Sequence, residues 1–216
     1  MAKEIKRCGW VSSDPLYIDY HDREWGVPTW DDNRHFEFLI LEAAQAGLSW
    51  FTVLKKRENY RKAFAGFDPK KVAKFGPAKV KELMDNAGII RNRLKIESAI
   101  HNTGPFMAVQ KEFGTFCDYA WTFVGGKTRI NKWKSLKELP AKTPESDAFS
   151  KDLKKRGFRF VGSTILYAHM QATGMVNDHM KECFRYREVQ RNLVTQKKTP
   201  AEHPGKYPLA IAAFIK

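Results

Sequence analysis

Two cysteines and two histidines near opposite ends of the chain could together bind a metal ion. Cys8 and His21 lie near the N-terminus, while His179 and Cys183 are four positions apart near the start of an expected C-terminal helix. At that spacing two helical side chains share one face, and two thiolates with two imidazoles make a closed tetrahedral zinc site of the structural type. A buried cysteine is more commonly a small apolar residue, and the spacings match no standard zinc finger. Spacing alone therefore favours ordinary core residues.

A second candidate is a glycine-bracketed turn between two expected helices, over residues 153–164. Glycines permit tight backbone geometry, and the free amides at the start of a helix can hold a phosphate. Basic side chains around the turn supply counter-charge for a DNA backbone. An ordinary helix–helix connection with a solvated basic face is the simpler alternative, but the density of cations favours phosphate binding. The candidate DNA-binding residues of this turn are Lys155, Arg156, Gly157, Arg159, Gly162 and Ser163.

A third candidate is Glu42, a carboxylate inside the apolar segment 39–44. Burial in a pocket would raise its pKa, and a cationic neighbour or ligand would lower it. Without further context, a salt bridge to a nearby Lys or Arg is the ordinary explanation. Aromatic residues are dense in the same part of the chain; their faces can stack an extruded base, although each one singly is more commonly a core residue. They include Tyr17, Tyr20, Trp25 and Trp50.

Helices are the elements that must position these groups. Asp32 can cap a helix with apolar residues at 36, 39, 40, 43 and 44, and Gly47 stands where a helix-ending glycine belongs. Ser49 can cap a helix that continues through residue 60, and Asp68 precedes a proline at a first helical position. No stretch shows convincing period-two alternation, so a sheet is not expected. The fold class predicted is all-α, with roughly eight to ten helices of typical length.

The later part of the chain continues the helical pattern. A helix over 91–101 is expected to stop at Gly104-Pro105, Thr143 begins another that ends at Gly157, and a further one follows to about residue 174. Residues 125–142 are polar and turn-rich, which predicts a loop. We expect residues 1–187 to form one domain and residues 188–216 to be a basic extension, whose apolar end over 209–215 could dock as a short helix.

Composition limits the function classes. The 216 residues are 43% hydrophobic and 29% charged, which is typical of a globular chain rather than a disordered one. With 38 Lys and Arg against 24 Asp and Glu, the formal charge of +14 favours a polyanionic partner, although a basic surface kept for solubility is the plainer interpretation. An apolar signal segment and a membrane span are both missing from the pattern, and three cysteines do not make a disulfide framework. A cytoplasmic protein without a membrane partner is expected.

Ordered motifs over about residues 7–186 resemble the DNA-3-methyladenine glycosylase I family, which belongs to the helix-hairpin-helix glycosylase superfamily. The motifs are RCGWV at 7–11, PLYI at 15–18, YHDREWGVP at 20–28, QAGLSW at 45–50, KKRENY at 55–60, AGIIR at 87–91, KRGF at 155–158, FVG at 160–162 and VNDH at 176–179. The resemblance implies a helix-hairpin-helix glycosylase fold and hydrolytic excision of 3-methyladenine from alkylated double-stranded DNA, with the free base as product and base excision repair as the setting.

The resemblance also implies roles for individual residues. It implies that the two cysteines and two histidines bind a structural Zn²⁺, a clip that joins the N-terminal segment to a C-terminal helix, and so reverses the preference drawn from spacing. Glu42 falls on a base-pocket position and is the residue expected to be catalytic. Tyr20 and Trp50 also fall on base-pocket positions, and Tyr17 and Trp25 are expected as further walls. Gly47 and Leu48 fall in the turn that approaches DNA where the base leaves the stack.

The superfamily resemblance further implies the reaction type. Superfamily members carry a catalytic aspartate where this chain has Asn177, unless Asp178 substitutes for it, and bifunctional members carry a lysine just after the hairpin glycine, where this chain has Ser163 and Thr164. The resemblance therefore predicts simple hydrolysis without a Schiff base or strand cleavage. Methylation at N3 makes the adenine a cation, so it leaves as a neutral base and needs no protonation.

Three other functions fit parts of the pattern. A non-catalytic zinc-dependent DNA-binding protein would account for the charge, the hairpin and the metal ligands, but would not need Glu42 among aromatic residues. A related glycosylase acting on 7-methylguanine or hypoxanthine fits the fold less specifically. An RNA-binding module is weaker still, because the sequence contains no RNA-recognition motif. We expect a monomer, because no surplus apolar face is apparent in the sequence.

Overall fold

The computed structural model describes residues 5–195 of the chain, and this part is almost entirely helical. The α-helices are α1 (Pro15–Arg23), α2 (Asp32–Gln45), α3 (Trp50–Leu54), α4 (Arg57–Ala63), α5 (Pro69–Val72), α6 (Pro77–Asp85), α7 (Arg93–His101), α8 (Thr103–Phe113), α9 (Phe116–Trp121), α10 (Pro144–Lys155), α11 (Ser163–Ala172) and α12 (Phe184–Thr195). Single turns of 3₁₀ helix occur at Ala65–Phe67, Thr122–Val124 and Leu136–Glu138. The all-α fold predicted from sequence is confirmed.

Local signals place most helix ends correctly. Ser49 accepts from the Thr52 amide at the start of α3, and Asp68 caps α5 just before Pro69. Thr143 and Ser146 form a reciprocal capping box at the start of α10. Gly157 takes a φ of +91° directly after α10, a conformation that suits glycine.

The number of helices was predicted too low. The helix expected over 91–101 does end at His101, but a new helix begins at once, and Pro105 lies in the first turn of α8, where a missing backbone N–H leaves no hydrogen bond unmade. The predicted single helix over residues 50–60 is divided between α3 and α4. The expectation of no sheet also needs a small correction, because Arg129–Ile130 (β1) pairs in parallel with Val176–Asn177 (β2).

Helix α2 forms the centre of the fold, and every residue from His35 to Ala44 along it is buried. Helices α3, α7, α9 and α11 pack around it. Its cap is Asp31 rather than the predicted Asp32. The Asp32 carboxylate instead accepts from the amides of Phe116 and Cys117, at 2.9 Å each, and so caps α9 across the structure. Because α2 is enclosed on all sides, a polar residue on it needs a specific reason to be there.

The C-terminal boundary predicted at residue 187 lies inside α12. Val189 is buried in this helix, so the folded unit continues beyond that point. The helix predicted over residues 209–215 lies outside the described residues. No helix in the described part of the chain is long and apolar enough to cross a membrane.

Two glycines with nearly equal φ angles allow steric overlap to be measured separately from backbone strain. A Cβ on Gly174 (φ +69°) would overlap the backbone of Val27 and Pro28, whereas one on Gly66 (φ +70°) would meet nothing within 4 Å. We predict that Gly66→Ala lowers the free energy of unfolding by about 1–2 kcal/mol, from the left-handed conformation alone. Gly174→Ala should lower it by about 3 kcal/mol or more, since overlap adds to strain. Urea unfolding measures both, and equal losses would contradict the packing described.

Candidate base pocket, metal cluster and DNA-binding loops

The two cysteines and two histidines of the sequence prediction converge on one point in the fold. Cys8, His21, His179 and Cys183 are all buried, and their ligand atoms lie within 4.8 Å of one another. The distances from Cys183 Sγ to His21 Nε2 and to His179 Nδ1 are 3.5 and 3.6 Å, and Cys8 Sγ is 3.6 Å from His179 Nδ1. Zinc bonds of about 2.3 Å to sulfur and about 2.0 Å to nitrogen at tetrahedral angles give a sulfur–nitrogen separation of about 3.6 Å. The donors are therefore spaced for a tetrahedral metal ion, and we call these four residues the metal cluster.

The other ring nitrogens of the two histidines are also engaged. His21 Nδ1 lies 2.7 Å from Asp22 Oδ1, and His179 Nε2 lies 2.9 Å from the carbonyl oxygen of Trp25. Such partners fix the tautomer that leaves the opposite nitrogen free to bind a metal. Arg7 forms a bidentate pair with Asp22. Burial raises the pKa of Asp22, but the bonds from Arg7 and His21 outweigh it and leave that pKa below its usual value.

One detail of the metal prediction is wrong. His179 and Cys183 do not share a helical face, because α12 begins only at Phe184 and the two ligands lie in the turn before it. Met180 in that turn donates its amide to Cys8 Sγ at 3.4 Å. The cluster therefore joins the N-terminal segment to the loop that leads into α12.

Glu42 lies in the interior, and none of the described residues forms an ion pair with it. It is only 3% exposed, and its Oε2 atom has no hydrogen-bond partner among the described residues. Burial raises the pKa of Glu42 to about 8, and the charge of Arg57 acts in the opposite direction. The salt bridge that is the ordinary explanation for such a residue is therefore absent from the described structure, and the carboxyl group is largely protonated at neutral pH.

Two of the predicted pocket aromatics lie close to each other, and one of them, Tyr20, is near this carboxyl group. The ring of Tyr20 is buried 5.3 Å from the ring of Trp50, and the pKa of Tyr20 is raised first by burial and then by the nearby Glu42. Trp50 Nε1 is buried and, like Glu42 Oε2, has no hydrogen-bond partner among the described residues. We call Tyr20, Glu42 and Trp50 the pocket cluster. An unused donor and an unused acceptor beside aromatic faces can bind a flat, polar ligand.

The remaining predicted walls pack against other aromatic side chains. Tyr17 stacks on Phe51 with ring centroids 5.0 Å apart. Trp25 packs edge-on against His179 at 4.7 Å and against Trp10 at 5.0 Å. These contacts place Trp25 against the metal cluster.

A network of buried and partly buried ion pairs lies near Glu42. Arg57 donates to Glu37 at 2.8 Å and to both oxygens of Glu24 at 2.7 Å, and Arg34 bridges the same two acids. Burial raises the pKa of Glu37, but the bond from Arg57 and the surrounding arginine charges bring it below its usual value. Both guanidinium groups lie over the ring of Phe38, at 5.2 and 5.3 Å from its centroid. Glu37 is thus a buried carboxylate whose charge is paired, unlike Glu42.

The basic turn between α10 and α11 forms the predicted hairpin. Lys155, Gly157 and Arg159 are exposed, and Gly162 provides no side-chain cap to the start of α11. The hydroxyl of Ser163 is hydrogen bonded to the exposed carboxylate of Asp147. Uncapped amides beside exposed cations are suited to a phosphate group.

Arg156 does not belong with the exposed cations of this hairpin. Its guanidinium donates to Asp152 and Glu112, both at 2.6 Å, and lies over the ring of Tyr119 at 4.9 Å. Its side chain is committed to holding α10 against α8 and α9. The charge of Arg156, which was predicted to contact DNA, is thus paired within the fold.

Gly47 and Leu48 lie in the turn between α2 and α3. Gly47 has a φ of +80°, and the Leu48 side chain is 42% exposed. An exposed leucine beside a basic protein surface is suited to contact with nucleic acid bases rather than with phosphate.

Three comparisons connect this architecture to known proteins. A sequence profile described as "Methyladenine glycosylase" matches residues 10–186. The DNA-3-methyladenine glycosylase 1 of Escherichia coli (strain K12) is 52% identical over 182 residues, which are 84% of this chain and 97% of that protein. A crystal structure of 3-methyladenine DNA glycosylase I is 53% identical, with a TM-score of 0.81 and coverage of 83% of this chain and 98% of that one. The chain belongs to the methyladenine glycosylase family.

A more distant family structure has a similar fold. The Staphylococcus aureus 3-methyladenine DNA glycosylase I, solved to explain recognition of 3-methyladenine, is 32% identical, with a TM-score of 0.80 and coverage of 84% of this chain and 96% of that one. The family resemblance and the glycosylase fold inferred from sequence are confirmed by these comparisons.

Neither candidate for the superfamily aspartate is available in this glycosylase for proton transfer. Asn177 donates to the carbonyl oxygen of Tyr186 and accepts from the amide of His179. Asp178 accepts at one oxygen from Asn131 and Trp133 and at the other from Tyr167 and Gln171, all at 2.6 to 2.7 Å. Four donors around a carboxylate that is 1% exposed make it a structural group.

Several residues that shape the site were not predicted from the sequence. Phe38 lies 6.2 Å from the ring of Trp50 and separates it from the ion-pair network. Its position four residues before Glu42 on α2 was a usable signal, because side chains at that spacing lie on one helical face. Arg57 offered no such signal, since its partners are distant in sequence.

Proposed function

We propose that this glycosylase extrudes 3-methyladenine from alkylated duplex DNA into the pocket cluster and hydrolyses its N-glycosidic bond, releasing the free base. The observation that carries the proposal is the buried Glu42 carboxyl group, whose Oε2 has no partner among the described residues and which lies near Tyr20, itself in contact with Trp50. A buried polar group without a partner is costly to a fold. A ligand that completes its bonding accounts for its presence.

A cationic base fits this pocket better than a neutral one. Transfer of the Glu42 proton to solvent leaves an anion that can accept from the amino side of the 3-methyladenine cation, and the two charges then stabilise each other in a medium of low dielectric constant. The faces of Tyr20 and Trp50 add attraction between a cation and aromatic rings. Tyr17 and Trp25 form the outer walls. Unmodified adenine carries no such charge, so it gains little from the ionised carboxylate.

The bond-breaking step needs little from the protein. Water attacks C1′ of the sugar as the bond from C1′ to N9 breaks; the bonding electrons neutralise the methylated base, and the proton of the attacking water passes to solvent. The role of Glu42 is to stabilise the cationic base in its extruded position. Ser163 and Thr164 follow the hairpin glycine where a Schiff-base lysine would be needed, so the reaction ends at the abasic site without strand cleavage.

DNA is held by the hairpin and opened at the turn after α2. The uncapped amides from Gly162 and Ser163 bind a backbone phosphate, and Lys155 and Arg159 neutralise its neighbours. Gly157 allows the chain to turn back sharply at this place. The exposed Leu48 enters the gap left by the extruded base, with Gly47 providing the necessary backbone turn.

The metal that this protein binds is Zn²⁺, in a structural role. Two thiolates and two imidazoles are the ligand set that zinc prefers, and the sulfur–nitrogen distances of 3.5 to 3.6 Å fit its tetrahedral geometry. All four positions of the tetrahedron are filled by protein, which leaves no open site for water or substrate. The bound ion would stabilise the segment that carries Tyr20, because His21 is its neighbour in α1.

We predict that Glu42→Gln abolishes most excision and stabilises the fold. The amide keeps the shape but cannot become an anion facing the cation, so 3-methyladenine release should fall by about 100-fold or more. In the folded protein the pKa of Glu42 is raised to about 8. The wild-type carboxyl group therefore lowers the free energy of unfolding increasingly as the pH rises above its unfolded pKa, by up to about 3 kcal/mol at pH 7. Urea unfolding should therefore show a more stable variant.

The assay for this variant is chromatography of bases released from methylated duplex DNA. Glu82→Gln is the control, because Glu82 is an exposed carboxylate on α6. Release of 3-methyladenine by Glu42→Gln at the control rate would contradict the proposal, and release of 7-methylguanine as the main product would indicate a different lesion.

The same carboxyl group predicts the pH dependence of the reaction. Ionised Glu42 is the form that binds the cation, and in the free protein its pKa is about 8. We therefore expect kcat/KM for wild-type protein to rise with pH from about 6 and to level above about 8, because this ratio reports the free enzyme. In Glu42→Gln this rise should disappear. A wild-type profile that is flat over the same range, or an equal slope in both proteins, would contradict the assignment.

Two cysteine variants test the metal assignment. We predict that Cys183→Ala abolishes zinc binding and lowers the free energy of unfolding by several kcal/mol, because a structural zinc contributes directly to folding. Cys117→Ala is the matched control, since Cys117 is equally buried but lies outside the cluster. Elemental mass spectrometry of purified protein should find zinc in the wild type and Cys117→Ala only. Zinc retained by Cys183→Ala would refute the assignment.

A further inference from the structure

Helix α7 contacts both of the loops that the proposed function assigns to DNA. Its first turn carries Lys95, which reaches the end of α2. At its other end His101 and Asn102 contact the hairpin between α10 and α11. The two loops are more than 100 residues apart in sequence, and α7 is an ordered element bonded to both.

Lys95 determines how the chain leaves α2. Its Nζ donates to the carbonyl oxygens of Ala44 at 2.8 Å and Ala46 at 2.6 Å. The last carbonyls of a helix have no partners within it, and they form the negative end of its dipole, so an ammonium group there both donates and complements charge. The next residues along the chain are Gly47 and the exposed Leu48. The lysine therefore fixes the base of the turn that carries Leu48.

Asn102 holds the hairpin in an equally defined way. Its Oδ1 accepts from the amide of Arg159 at 2.8 Å, and its Nδ2 donates to the carbonyl oxygen of the same residue at 2.9 Å. His101 Nε2 lies 2.9 Å from the carbonyl oxygen of Gly157. Asn102 is buried, with 5% of its surface exposed. These contacts are to backbone atoms, so they set the course of the hairpin and leave its side chains free for other partners.

We propose that α7 is the spacer that fixes the distance between the Leu48 turn and the phosphate-binding hairpin, with Lys95 and Asn102 as its positioning residues. The two residues are seven positions apart, which corresponds to about 10 Å along the helix axis. Ile96 and Ala99 bury the inner face of α7 in the core, so the helix cannot move independently. This inference rests on the proposed roles of Leu48 and the hairpin.

The spacing matters because base extrusion acts on both loops at once. The phosphate contact fixes the register of the protein on the duplex, and the wedge must then enter the stack at the correct base step. A misplacement of about 1 Å can lower a rate by about 100-fold when two groups must act together. A lysine that merely stabilised α2 would have a different effect, because its loss would weaken the pocket cluster and the fold together.

The test compares Lys95→Met, Lys95→Arg and Lys81→Met in the full chain. Methionine keeps the length of lysine without a donor, arginine keeps donors that can reach both carbonyls, and Lys81 is an exposed lysine on α6. Three readouts are measured: single-turnover excision from duplex DNA, affinity for free 3-methyladenine, and the fluorescence of 2-aminopurine placed beside a tetrahydrofuran abasic analogue, which reports opening of the stack.

For Lys95→Met we expect excision and the fluorescence change to fall by about tenfold or more, with affinity for the free base unchanged. Lys95→Arg should recover most of both, and Lys81→Met should match the wild type. Unchanged excision in Lys95→Met would overturn the inference, as would a parallel loss of free-base affinity.

A Leu48→Gly variant separates this inference from the proposed function. If Leu48→Gly loses the fluorescence change while Lys95→Met keeps it, the spacer role is wrong and the wedge assignment stands. If Leu48→Gly keeps the full change, the wedge assignment itself is wrong, and the spacer inference is rejected with it.

Discussion

An ionisable carboxyl group that is buried without a partner is the constraint around which this protein is organised. Glu42 lies on a helix that is enclosed on all sides, and no cation or donor of the described residues completes its Oε2. Isolated charge in such a place is costly, so the group is held largely neutral until a cation arrives. The raised pKa of Glu42 and its cost to the stability of the fold are thus two consequences of one burial.

The surrounding structure keeps the other charges from satisfying Glu42. Arg57, a cation close enough to influence its pKa, is held by Glu24 and Glu37, and the ring of Phe38 lies beneath the guanidinium. The same network bonds the end of α1 to α2 and α4. His21 lies next to Tyr20 on α1, and its contacts with Asp22 and Cys183 help to fix the helix that carries Tyr20. The helix that carries Tyr20 and the unpaired carboxyl group of Glu42 are therefore held in place by different contacts.

The sequence was most informative where the determinants are local. Caps at Ser49, Asp68 and Thr143 could be recognised because they act within one turn, and the family motifs gave the glycosylase fold. Helix α8 was not predicted, because a proline such as Pro105, which stops a helix elsewhere, is tolerated in the first turn of a new one. For the site, residue type and motif located Glu42, but its lack of a partner, the ion pairs of Arg156 and the reach of Lys95 to Ala44 depend on residues distant in the chain.

We propose that Glu42 is protonated in the free protein and becomes an anion when it faces a cationic base. Calorimetric titration with 3,9-dimethyladeninium, which keeps its positive charge at neutral pH, tests this directly when repeated in buffers of different ionisation enthalpy. About one proton should be released for each base bound at pH 7, since the folded pKa of Glu42 is about 8. Binding without proton release would show that the carboxyl group is already ionised in the free protein and that Glu42 does not change its charge on binding.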